Sequence, residues 1–161
     1  MDNASLIQIS LKGLMPTANG CAIFLGNEEK TFVMHIDPNM GLAISLHLQN
    51  TQKPRPLTHD LIATIFMGLG IHLKHIVIND IDNATFFARI MLSMDNELGT
   101  KIVEIDSRPS DALVLALQAQ KPIYVARKVF DVVDDVSDIL TNILNKQKSE
   151  EEDENFPEGG F

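Results

Sequence analysis

Ile105-Asp106-Ser107-Arg108-Pro109-Ser110-Asp111-Ala112-Leu113-Val114-Leu115-Ala116-Leu117 decides how this chain is read. Its first residue closes a β-rich run, Lys101–Ile105. Ser107-Arg108-Pro109-Ser110-Asp111 then has the composition of a helix opening, with serines able to cap and proline tolerated in the first turn. Ala112–Leu117 is apolar on every side, which predicts a helix buried all round. A strand that runs straight into a fully buried helix implies a sheet with helices packed on it.

Working towards the N-terminus, Leu73–Ile81 and Thr85–Met94 read as paired strands, with Asp82-Asn83 as the tight turn between them. Before them, Leu61, Ile62, Ile65, Phe66 and Leu69 form one stripe, so a helix is predicted over Thr58–Leu69, stopped by Gly68 and Gly70. Gln49–Pro56 is a loop, because Pro54 and Pro56 suit no helix interior. Met40–Leu48 has helical apolar spacing, and Pro38 sits where that helix can begin. Asn3–Leu11, Cys21–Leu25 and Thr31–Ile36 read as strands, the last two as a hairpin across Gly26–Lys30. Towards the C-terminus follow a short strand at Pro122–Val125 and an amphipathic helix over Val132–Asn145. The order predicts an α+β fold with a mostly antiparallel or mixed sheet packed with helices, over residues 1–146. Residues 147–161 are expected to form an acidic, disordered tail.

The net charge is −9 over 161 residues. Six acids and no base lie in residues 150–161, which leaves sixteen acids against thirteen bases, a net of −3, before them. No basic stripe of the kind that dominates nucleic-acid backbone binding is present, so a nucleic-acid contact would have to be local. The acidic run reads as a solvated end, or as a tethered phosphate mimic competing for the Arg55/Arg108 region. Cys21 is the single cysteine, which excludes an internal disulfide and a cysteine-based zinc cage. With no membrane-spanning apolar run and no secretory signal after Met1-Asp2-Asn3-Ala4, a cytoplasmic setting and no membrane partner are expected.

Two segments carry a resemblance: Arg55-Pro56-Leu57-Thr58-His59-Asp60-Leu61 and Ile105-Asp106-Ser107-Arg108-Pro109-Ser110-Asp111-Ala112. In order and spacing they are similar to the signature motifs of the bifunctional nuclease family, and the resemblance covers roughly residues 4–140 by element order. It implies a metal-dependent nuclease of low sequence specificity acting on DNA and RNA, assembled as a homo-oligomer. One position departs from the pattern. Asp37-Pro38-Asn39-Met40-Gly41 has methionine where the family usually has an acidic residue, which bears on metal binding and activity.

Both motifs place polar residues at the start of an apolar helix, where unpaired N–H groups and the helix dipole favour a phosphate. Arg55, Thr58, Arg108 and Ser110 are the candidate phosphate ligands, the arginines as bidentate donors. His59, Asp60, Asp106 and Asp111 are the candidate catalytic groups. Asp60, Asp106 and Asp111 are the candidate ligands for Mg²⁺ or Mn²⁺, and His59 the base or acid. This chemistry requires the two helix starts to converge in one cleft. The same residues also suit architecture: Thr58 and Ser107 or Ser110 as caps, Arg108 and Asp111 as a pair three residues apart, and Asp106 tying the helix to the sheet. The alternative function is therefore a non-catalytic oligomeric binding module whose Arg/Asp motifs are structural. A small-molecule enzyme taking a phosphorylated metabolite is a third reading, with no cofactor motif behind it.

Overall fold

The computed structural model describes residues 5–154. Strands β1 (Leu6–Thr17), β2 (Gly20–Gly26) and β3 (Thr31–Ile36) lead to helices α1 (Pro38–Leu48) and α2 (Thr58–Gly68). Next come β4 (Ile71–Asp82), β5 (Thr85–Asn96) and β6 (Gly99–Ser107), then α3 (Pro109–Ala119), β7 (Ile123–Ala126), α4 (Arg127–Val132) and α5 (Ser137–Glu154). The seven strands form one mixed sheet in the order β3-β2-β1-β7-β4-β5-β6. Of its neighbouring pairs only β4 and β7 run parallel. The α+β architecture is the one predicted.

Strand alternation explains the two layers of core. On β2, Ile23 and Leu25 face the main core with Phe32 and Met34 of β3, where α1 places Ile44 and α3 places Ala112–Ala116. Ala22 and Phe24 point to the opposite face and pack on Leu140 of α5, with Val136 and Ile143 beside it. Gly13 sits at a register shift in β1, and a Cβ there would meet Leu140 Cδ1 at 3.0 Å. Its bare backbone lets α5 lie close. The residues leading into α5 also cover the β3 edge, where Val136 N–H donates to the Thr31 carbonyl at 2.7 Å. The β6 edge is open, and most of its residues are exposed.

Some elements differ from the sequence expectations. Strand β1 continues to Thr17, because the register shift absorbs the interruption that Gly13 introduces. The helix predicted over Val132–Asn145 begins only at Ser137, as α5; Val132 instead ends the six-residue α4, and residues 133–136 between them are not helical. Lys30 holds that junction: its Nζ donates to the carbonyls of Phe130 at 2.6 Å and Val133 at 3.1 Å. Helix α5 continues through residues 147–154, so the expected tail boundary falls inside a helix. The start of the predicted first strand at Asn3 and the tail segment Asn155–Phe161 lie outside the described residues. Among the described residues, no helix is long and apolar enough to cross a membrane.

Candidate functional site

Three helix starts meet at one end of the main core. Asp37 is the N-cap of α1; its Oδ1 accepts from the N–H groups of Asn39 at 3.0 Å and Met40 at 3.1 Å. Gly41 sets how near α1 comes, because a Cβ on it would fall 2.7 Å from Cys21 Cβ. Arg108 occupies the N-cap position of α3, and Pro109 begins the helix without losing a needed N–H. His59 lies in the first turn of α2 and turns inward, 4% exposed.

Asp111 joins the α2 and α3 starts. It accepts from Arg108 Nε at 2.6 Å and Nη2 at 3.2 Å, a bidentate clasp, and meets His59 Nε2 at 2.9 Å. Burial pushes the Asp111 carboxyl up, but the hydrogen bonds and charges of Arg108 and His59 outweigh it and hold the group below the ordinary carboxylate range. The Arg108 guanidinium is correspondingly raised, first by its hydrogen bond to Asp111. Arg108 Nη1 lies 4.0 Å from Asp37 Oδ2, which ties in the α1 start.

An open cavity of about 470 Å³ lies beside this cluster, lined by His35, Asp37, Thr85, Phe86, Arg108 and Ser110 among others. A guanidinium has five N–H groups, of which Asp111 takes two, so the Nη1 edge keeps donors for an incoming anion. From sequence, Asp37 reads only as a poor ligand pair with His35, and nothing joins it to the Arg108 motif. A signal for its placement was present in the Asp-Pro pair that opens a helix directly after the strand carrying His35.

The aspartates expected to act together are apart. Asp60 turns from His59 and forms a second clamp, meeting Lys53 Nζ at 2.6 Å and Gln118 Nε2 at 3.1 Å, and taking the Leu57 N–H at 2.7 Å. The Lys53 hydrogen bond is the main reason its carboxyl is held low. Asp106 lies on β6 opposite Arg89, 3.8 Å from that guanidinium, with a side chain 75% exposed. It does not close the Arg108–Asp111 network. Among the described residues, no group of three or more His, Cys, Asp or Glu side chains could hold a metal ion. The expected Asp60/Asp106/Asp111 ligand set thus does not fit Mg²⁺ or Mn²⁺ within one chain.

The remaining candidates divide. Ser110 is buried and lines the cavity. Arg55 and Thr58 are exposed, and neither side chain makes an ion pair or hydrogen bond among the described residues. The caps also differ from the sequence reading. Leu57, not Thr58, holds the N-cap position of α2, with Asp60 reaching back to its N–H. No side chain caps α3, and the Ser107 hydroxyl donates to the Arg108 carbonyl instead.

The chain thus presents a mixed sheet with helices packed on it, the starts of α2 and α3 bridged by an Arg–Asp–His cluster. Residues 23–137 match the bifunctional nuclease domain, and the chain belongs to that family. It is also similar to two uncharacterized proteins of Mycobacterium tuberculosis, one from strain CDC 1551 / Oshkosh and one from strain H37Rv. Each is 34% identical over 103 residues, which cover 64% of this chain and 58% of the relative. The match thus spans little more than half the length of those relatives.

Proposed function

We propose that this chain is a cytoplasmic nuclease of low sequence specificity, cleaving DNA and RNA phosphodiesters at the Arg108 cavity and working as a homo-oligomer. The observation that carries this reading is the braced guanidinium. Arg108 is two-thirds exposed at a cavity mouth, yet fixed by Asp111, which His59 fixes in turn. Pre-set donors bind a phosphate without first being ordered, and they contact no base, which suits low specificity. Membership of the bifunctional nuclease domain family supports the same chemistry.

In this scheme Arg108 grips the phosphate and His59 is a positioning residue, since its buried ring reaches Asp111 and not the cavity. Asp37 and His35, on the cavity wall, are the groups available to take a proton from an attacking water. The three aspartates do not gather among the described residues, so the proposed steps use Arg108, Asp37 and His35 instead.

The test is hydrolysis of single- and double-stranded DNA and RNA by highly purified protein with Mg²⁺, Mn²⁺ or chelator, beside Arg108→Ala. Cleavage lost in a folded Arg108→Ala protein supports the reading, and the chelator arm decides whether a metal from solution takes part. Equal cleavage by both proteins, or none by either, overturns it. The second reading, a non-catalytic oligomeric module, is favoured by one observation: both aspartates of the α2–α3 contact are consumed by clamps, Asp111 by Arg108 and His59, Asp60 by Lys53 and Gln118.

A further inference from the structure

The cavity at Arg108 is lined from two kinds of element. Helix starts supply its polar groups: Asp37 of α1, with Arg108 and Ser110 at the head of α3. The hairpin that joins β4 to β5 supplies Ala84, Thr85 and the aromatic ring of Phe86. Asn83 and Ala84, the two residues of that turn, have φ of 47° and 61°. Positive φ at both is the twist that closes a two-residue hairpin tightly, and Ala84 adopts it without a side chain that could hydrogen-bond locally. The turn fixes where β5 begins, and so where Phe86 stands opposite Ile81. The ring is also fixed from behind. It stacks on buried Phe32, with centroids 6.0 Å apart and planes at 26°. Phe32 belongs to β3, and four strands lie between β3 and β5 in the sheet, so sheet curvature brings the two rings together. Phe32 takes one face of the partly buried Phe86 ring, which leaves its other side to the cavity.

We propose that Phe86 is a stacking platform for one base of the strand whose phosphate Arg108 grips, which makes an unpaired strand the preferred substrate. The proposal rests on the nuclease reading above and names the form of nucleic acid that the same site takes. Three features support it. The first is room. About 470 Å³ lies within the ~300–1,000 Å³ of small-ligand pockets, more than a phosphate alone needs. The second is chemistry. A site for phosphate alone has no use for an aromatic wall, whereas a nucleotide brings an anion for Arg108 and a flat base for Phe86. The ring is already held by Phe32, so stacking on it orders no new side chain. The third is selectivity. Every base has a π-face, so stacking holds a base without reading its identity, in keeping with low sequence specificity. A base inside a duplex has both faces covered by its neighbours. It reaches Phe86 only after unstacking and unpairing, a cost that a single strand largely avoids. Phe87, the exposed ring beside it on β5, points to the opposite face of the sheet and cannot take its place.

Fluorescence anisotropy tests this with three end-labelled probes: a single-stranded oligonucleotide, its blunt duplex, and an abasic sugar-phosphate strand of equal length. The full chain is compared with Phe86→Leu, Phe86→Tyr and Phe87→Leu, and circular dichroism melts check that each variant folds. Wild type should bind the single strand at least ~10-fold more tightly than either other probe, the gain that one base on an aromatic ring supplies. Phe86→Leu should close that gap, while Phe86→Tyr, which keeps the ring, and Phe87→Leu should retain it. A gap absent from wild type overturns the platform whether or not Phe86→Leu folds. A gap kept in a folded Phe86→Leu protein overturns it too, and both results leave the phosphate grip of Arg108 standing. A wild type that binds none of the three probes overturns the nuclease reading, and the platform with it.

Discussion

Arg108, Asp111 and His59 act as one unit, and their individual losses differ accordingly. Removing Arg108 leaves Asp111 braced by His59, so Arg108→Ala should melt within a few degrees of wild type while losing phosphodiester affinity at least ~10-fold. Removing His59 empties a buried site, and His59→Ala should cost about 1–3 kcal/mol in urea unfolding; a cost near zero would show that the ring carries no packing or bonding role. The depressed Asp111 carboxyl fixes the sign of the acid response. Its stabilisation is complete above the unfolded value of about 3.9 and is lost as pH falls through the lower folded value. Melting temperature should therefore fall less steeply below about pH 4 in Asp111→Asn than in wild type, and parallel slopes would contradict the clasp. The Arg108–Asp111 pair was legible because residues three apart share a helix face. Asp60 was misplaced because adjacent helix residues diverge: His59 turns to Asp111 while Asp60 reaches Gln118, two turns along α3. Asp106 was misplaced because its direction is set by pairing opposite Arg89, a contact between distant parts of the sequence.

At the scale of elements, the close approach of α1 to β2 carries the site, because it brings Asp37 to Arg108. Gly41→Ala would push a methyl into Cys21, and should destabilise by about 1–3 kcal/mol in the same unfolding assay. A wild-type midpoint would mean that α1 shifts freely, and that Asp37 is not held at the site. Periodicity identified the longer helices and strands, since α3 is buried all round as its sequence requires and β3 spans the residues predicted. It missed α4, whose six residues are too few to display a helical repeat. It also stopped α5 too early. From residue 145 to 152 the side chains of that helix are exposed, and its Lys, Gln and Glu residues favour helix without leaving an apolar pattern.

For the whole molecule, the sheet order could not be read from local pattern. The parallel pairing of β7 with β4 joins segments some forty residues apart and depends on how the chain crosses over, whereas the antiparallel neighbours β1–β2, β2–β3, β4–β5 and β5–β6 follow from short turns. This topology sets the starts of α1 and α3 side by side and leaves α2 outermost. Residues 145–152 of α5 are exposed, so a chain ending at Asn145 should melt within about 2 °C of full length; a larger loss would show that the removed residues carry stabilising contacts. On the function proposed above, the fold delivers one braced guanidinium to a phosphodiester. The most direct measurement follows binding and cleavage of one end-labelled single-stranded oligonucleotide by wild type and Arg108→Ala in parallel, each first shown to be folded. Wild type is expected to bind and cut, and the variant to lose both together. An Arg108→Ala protein that binds and cuts as wild type does would contradict it.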